Sequence, residues 1–302
     1  AQLQANLFDN RLKAVVGGFL SYRDVDDPSE SVSVPFYQVG LTTQTSRSIN
    51  DPKARTQALF GQATYDLAGL SDSLEGLKFT AGARYTWDWR STWTRNIAAS
   101  GVCADAFADR TCTFQQGGKF KSPSWTFALD YQLNPDTLVY ATSRRGYGSG
   151  AFNPTAPTVE LQTVDPEYST DVEIGVKKDW QLGGDVQART NLSAFNVWYD
   201  NVQRVSSLVF TDASGTPRTI SINLNAAKAK ISGLETQYLL RFGRHFDLSG
   251  FYQWLYARYS EYRSVDTAGR PVDLSGRPFG ASPKHRINVT GRIYAPVDES
   301  LG

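Results

Sequence analysis

Residues Leu77 to Arg90 alternate with a period of two. Leu77, Phe79, Ala81, Ala83, Tyr85, Trp87 and Trp89 fall on one side, and Lys78, Thr80, Gly82, Arg84, Thr86, Asp88 and Arg90 on the other. A two-residue period is that of a strand, whose successive side chains point to opposite faces. At about 3.4 Å per residue and a tilt of about 40°, the apolar side rises about 30 Å, enough to cross a hydrocarbon core. The aromatics gather at its far end, where an interfacial girdle would sit. A soluble sandwich would also bury the apolar face, but it would seldom carry Lys, Arg, Asp and Arg along the whole of the other.

The same pattern recurs down the chain. Trp125, Phe127, Leu129, Tyr131 and Leu133 alternate with Thr126, Ala128, Asp130 and Gln132, and Val172, Ile174 and Val176 with Asp171, Glu173, Gly175 and Lys177. About eleven strands are expected: 3–7, 12–23, 56–67, 77–89, 125–133, 138–145, 168–181, 186–210, 225–238, 246–259 and 287–293. Their connections are short after residues 8, 69, 134, 182 and 242, and long or extended after 23, 91, 146, 211 and 260. That regularity suits an outer-membrane barrel, with short periplasmic turns and longer extracellular loops. Neither a propeller nor a sandwich predicts it. The segments 24–54 and 91–122 read as long loops.

Composition agrees with a strand-spanning membrane protein. Hydrophobic residues make up 40% of the chain and no run approaches a membrane helix, yet seven Trp and fifteen Tyr suit two aromatic belts. With 31 basic and 30 acidic residues the chain lacks the basic excess of a nucleic-acid binder. Cys103 and Cys112 lie close in sequence and would pair in an oxidising compartment. The start carries neither Met nor a basic-then-apolar leader, which suits a processed chain or part of a larger one.

Three stretches carry a family resemblance. The first runs from Ser143 to Lys177, where SRRGYGSGAFNP leads through a Gly/Pro-rich loop to DPEYSTDVEIGVK. The second is Asn225 to Tyr238, with Asn225, Ala226, Ala229, Ile231, Gly233 and Glu235 in an Asn-Ala-x-x-Ala-x-Ile-x-Gly-x-Glu pattern. The third is Pro283-Lys284-His285, opening the last strand. Together they resemble the C-terminal barrel of TonB-dependent outer-membrane receptors. The resemblance implies an all-β, transmembrane antiparallel β-barrel, with residues 1–302 forming about half of a 22-stranded one and lacking the plug and the closing strands. It further implies a multi-pass protein of the Gram-negative-type outer membrane, importing a scarce nutrient, foremost a ferric siderophore. The partners implied are TonB and its inner-membrane motor acting through the plug, outer-membrane lipid and a small-molecule ligand. No intrinsic cofactor is implied; an iron chelate would be substrate. A passive porin is the alternative, since its strands would look alike.

Within that frame, Arg144, Arg145, Tyr147, Phe152, Trp198 and Tyr199 are candidate ligand contacts, because guanidinium forks and aromatic planes suit carboxylate or catecholate groups. Arg84, Glu173, Lys177 and Glu235 are candidates for the lumen and for contact with the plug. The acidic run Asp24, Asp26, Asp27 and Glu30 has oxygen ligands of the kind calcium takes, though such a run is more often a solvated loop. Catalysis is not expected. The two histidines, His245 in a short turn and His285 at a strand start on the opposite rim, have no obvious nucleophile and orienting partner.

Overall fold

In the computed structural model, the structure describes residues 1–24, 29–33, 46–98, 101–103, 107–211, 217–265 and 270–294. Fifteen strands are found among them. They are β1 (Gln2–Leu7), β2 (Leu12–Arg23), β3 (Ser29–Ser33), β4 (Ser46–Asp66), β5 (Leu77–Ile97), β6 (Thr113–Asn134), β7 (Thr137–Gly148), β8 (Ala151–Phe152), β9 (Thr163–Val164), β10 (Glu167–Gln181), β11 (Val186–Thr211), β12 (Pro217–Phe242), β13 (Phe246–Val265), β14 (Pro271–Asp273) and β15 (His285–Ile293). One antiparallel sheet runs β1-β2-β4-β5-β6-β7-β10-β11-β12-β13, with β14 and β15 on β13 and β3 on β4. The short strands β8 and β9 pair with each other inside the long β7–β10 connection.

Eleven strands, β1, β2, β4 to β7, β10 to β13 and β15, form the up-and-down meander, one for each run expected from alternation. Two expected loops are corrected. Residues 46–54 belong to β4, and β5 and β6 reach Ile97 and Thr113, so much of 91–122 is ladder. The reason is that the strands continue past the apolar band into water. There both faces are polar, and the sequence loses its two-sided contrast while the backbone keeps its partners. Pro52 and Pro123 disguise these extensions further. A proline offers no ladder donor and is tolerated only where a strand lacks a neighbour. Pro52 falls in the gap between the last β2 pair at Ala54 and the first β3 pair at Asn50. Pro123 lies just past Trp125, the last β6 residue paired with β7.

The sheet is polar where it is buried and apolar where it is exposed. Thr80, Thr86, Asp88, Thr94 and Ser122 are buried on one face, while Leu59, Phe79, Phe127, Leu129, Val172, Ile174 and Ile287 are exposed on the other. A soluble sheet would have the opposite arrangement; a lipid-facing one requires this. The outer side of β10 carries Tyr168 and Trp180 at its two ends. At about 3.4 Å per residue and about 40° of tilt they stand about 31 Å apart along the membrane normal. A small apolar core of Val202, Ala227, Ala229 and Tyr259 forms on the inner side, where Phe279 packs from the β13–β15 connection. It lies beside a β-bulge after Tyr199, which Asn201 supports with φ of 53°.

Candidate functional site: the polar inner face and its mouth

Register assigns the faces residue by residue, because directly paired residues share a side. Arg84, Ser124 and Thr126, Arg144, Asp171 and Glu173, and Glu235 with Gln253 all belong to the inner rows. Five of these, with Tyr140, make two polar clusters. Arg144 Nε donates to Asp171 Oδ1 at 2.9 Å and its Nη2 donates to Glu173 Oε2 at 2.8 Å. Tyr140 donates its hydroxyl to Glu173 Oε1 at 2.7 Å, and Lys177 Nζ sits 5.4 Å from the Tyr140 ring centroid. Glu235 accepts from Gln253 Nε2 at 2.6 Å. Across an open groove of about 640 Å³, lined by Gln62, Arg84, Thr126, Arg144 and Asp171 among others, Arg84 donates from Nε to Thr86 Oγ1 at 3.1 Å and covers the Phe19 ring. This surface offers fixed donors and acceptors of both signs, suited to holding a polar body by many hydrogen bonds.

Glycines admit the inner aromatics. An ideal Cβ on Gly175 would lie 2.6 Å from the Tyr140 ring, and one on Gly233 2.5 Å from the Phe195 ring. These two glycines belong to the Glu-Ile-Gly and Ile-x-Gly-x-Glu stretches, so close approach of a ring to the backbone gives those motifs a physical reason.

At the long-loop end the β7–β10 connection is pinned across the inner side. Asn153 Nδ2 donates to the carbonyls of Asn223 and Leu161 at 2.7 and 2.9 Å, and its Oδ1 accepts the Asn223 N–H at 3.1 Å. Asn225 accepts the Asp165 N–H at 2.7 Å and donates to the carbonyls of Asp165 and Asn201 at 2.8 and 2.9 Å. Gln203 Nε2 donates to the carbonyls of Ser149 and Asp165. On the other flank the Phe152 ring packs tilted against Phe120, with 5.9 Å between centroids. The connection therefore ties β12 and β11 to β6, straddling the strands from which it springs.

The residues read as ligand contacts are divided by the sheet. Arg144 and Tyr199 lie on the inner side, with Tyr199 donating its hydroxyl to Glu167 at 2.7 Å, and Phe152 is at the mouth beside Phe120. Arg145 and Trp198 share the outer row that runs Trp125, Arg145, Thr170, Trp198. Adjacent strand residues such as Arg144 and Arg145 cannot serve one face. Arg145 is instead held between the rings of Trp125 and Tyr168, at 5.1 and 4.7 Å. Tyr147 lies beyond the last β6–β7 pair, and its hydroxyl donates to Asp88 at 3.0 Å. Asp88, Glu167, Asn153, Asn223, Asn225 and Gln203 were missed in the sequence. Asp88 stood on the polar face of the clearest strand, and Asn225 opened a motif, so a signal existed for those two.

Cys103 and Cys112 are joined by a disulfide. Of the acidic run, Asp26 and Asp27 lie outside the described residues; Asp24 pairs with Lys53 at 3.0 Å and Glu30 with Arg47. Among the described residues no group of three or more His, Cys, Asp or Glu could hold a metal. His285 Nδ1 lies 2.9 Å from the Tyr252 hydroxyl, on β13's outer side, and His245 is in the β12–β13 turn.

The model of the family described as "TonB dependent receptor-like, beta-barrel" matches residues 1–299. The chain belongs to that family. The fold of such TonB-dependent barrels is also that of several solved structures. The ferric yersiniabactin uptake receptor FyuA from Yersinia pestis superposes with a TM-score of 0.64 at 16% identity, over 96% of this chain and 38% of that one. The ferric-catecholate import receptor Fiu from K12 E. coli gives 0.57 at 13%, over 98% and 42%. The alcaligin outer-membrane receptor FauA from Bordetella pertussis gives 0.51 at 14%, over 95% and 44%. The chain thus spans about two fifths of the length of these proteins. The family and fold are those of transport receptors, not of enzymes.

Proposed function

We propose that these residues form part of an outer-membrane receptor that imports a scarce nutrient, foremost a ferric siderophore, and is energised through TonB. The observation that carries the reading is family membership across residues 1–299. It is supported by an inner face that stays polar and hydrogen-bonded through the depth at which the outer face is apolar. In this reading Arg84, Glu173, Lys177 and Glu235 meet the plug of the complete receptor, and Arg144, Phe152 and Tyr199 face the ligand path. Arg145 and Trp198, in the outer row, belong to the lipid interface. The test is uptake of ⁵⁵Fe-labelled siderophores by iron-starved cells carrying or lacking the full-length gene, with TonB present or depleted. Uptake that needs both the gene and TonB is expected. Solute entry that persists without TonB would replace import by a passive channel.

A further inference from the structure

The outer face carries a cluster of cations at the long-loop end. Register places Tyr22, Arg55, Trp89 and Lys119 in one cross-strand row over β2, β4, β5 and β6, with Trp87 and Lys121 in the row two residues nearer the membrane middle. Lys119 and Lys121 are exposed, and they flank the inward-facing Phe120. Arg55 lies 5.4 Å over the Trp89 ring. Among the described residues two carboxylates reach this surface, Asp24 and Asp51, and Lys53 pairs with both, at 3.0 and 3.8 Å. Among the described residues no acid forms an ion pair with Arg55, Lys119 or Lys121. Tyr22, Arg55, Trp89 and Lys119 also line one shallow depression of about 450 Å³.

Three cations without an ion pair among the described residues stand beside Trp87 and Trp89, where apolar chains give way to headgroups, the depth at which tryptophan settles. Cα atoms two strands apart are about 10 Å from each other, and residues two apart on one strand about 7 Å. Arg55, Lys119 and Lys121 can therefore close on one anionic group, their aliphatic stems lying along the indoles. The phosphate of a lipid headgroup fits this charge, depth and spacing; Arg supplies a fork for two of its oxygens and Lys a point charge.

We propose that Arg55, Lys119 and Lys121 hold the phosphate of a lipid in the leaflet on the long-loop side. This rests on the membrane-spanning fold and is independent of what the receptor imports. The test uses the full-length receptor in detergent, titrated with dihexanoyl phosphatidylglycerol and followed by native mass spectrometry. Dihexanoyl phosphatidylcholine serves as the zwitterionic control. Each cation is expected to contribute about fivefold, so Arg55→Gln/Lys119→Gln/Lys121→Gln should bind on the order of a hundredfold more weakly. Lys119→Arg/Lys121→Arg should bind as the parent does. If the triple variant loses the heat-modifiable gel mobility of a folded barrel, single Lys119→Gln and Lys121→Gln variants carry the test, each losing about fivefold. Unchanged affinity in the variants overturns the site. Displacement of the lipid by millimolar inorganic phosphate overturns the lipid source, leaving a free-anion site. Equal binding of the zwitterionic control shows unspecific adsorption and also overturns it.

Discussion

Gly175→Ala tests whether the inner face is built by rings packed onto bare backbone. The new Cβ would stand 2.6 Å from Cε1, Cζ and Oη of Tyr140. The ring cannot simply rotate away, because its hydroxyl donates to Glu173 at 2.7 Å and Lys177 lies against it. Overpacking costs about 1–3 kcal/mol, and losing a hydrogen bond to a charged group about 1.5–3 kcal/mol. Tyr140 is half-buried on the inner face rather than sealed in a core, so the lower half of each range applies and the sum is about 3 kcal/mol. Urea unfolding of the full-length receptor refolded into lipid vesicles measures it.

A second variant separates this mechanism from a general dislike of side chains at that position. In a Tyr140→Ala background the new methyl meets no ring, and Gly→Ala in a strand then costs nothing or gains up to about 1 kcal/mol. The coupling between the two positions should therefore exceed about 2 kcal/mol. A loss below about 0.5 kcal/mol in the single variant, or the same loss in both backgrounds, refutes the reasoning.

Three further outcomes are expected. Asn225→Ala removes the bonds to Asp165 and Asn201, and at about 1 kcal/mol each should open the 149–166 connection to limited proteolysis while the strands stay protected. Ile174→Arg puts a charge on the exposed outer side of β10, which costs about 2–4 kcal/mol near the bilayer midplane, whereas Glu173→Gln, one residue away but facing inward, should cost less than half as much in the same vesicle assay. In the disulfide-closed loop, Asp109 accepts from the Thr111 hydroxyl and from the N–H groups of Thr111 and Thr113, and these bonds hold its carboxyl below the ordinary range. A depressed carboxylate pKa stabilises above the unfolded value and is lost as pH falls through the folded one. Amide protection at Thr111 and Thr113, corrected for the intrinsic pH dependence of exchange, should thus be flat from pH 7 down to about 4 and fall relative to distant loops only below that; a loss of protection near pH 6 would contradict the assignment.

The strands were legible because the membrane imposes a contrast that sequence preserves. From Leu77 to Arg90 the two faces differ in every pair of residues, and the ladder β4-β5-β6 follows that alternation without a register shift. Where the membrane ends, so does the signal. From Ser91 to Ile97 and from Thr113 to Ser122 the ladder continues with polar or aromatic residues on both sides, and nothing in the sequence says that Thr92 pairs with Gln116. Two register shifts, between Tyr199 and Val202 and between Val202 and Gln203, interrupt the β11–β12 ladder, which no periodicity reports, and the bonds of Gln203 to the loop mouth went unnoticed.

The candidate site failed in sequence for a different reason, and it is instructive about arginine pairs on strands. Arg144 and Arg145 invite reading as one anion-binding unit, yet a strand sends them to opposite solvents. Arg144 meets Asp171 and Glu173 of the neighbouring strand on the inner side, while Arg145 meets Trp125 and Tyr168 on the membrane side. Their substitutions should therefore separate. Arg144→Gln frees two inner carboxylates and should alter whatever occupies the groove, at little cost in stability because the pair is half-exposed. Arg145→Gln removes the cation shared by two girdle rings, at about 0.5–1 kcal/mol for each ring, and should weaken the barrel in vesicles without changing the groove. A ligand-binding defect of equal size in both would mean that the strand does not present its faces as the register requires.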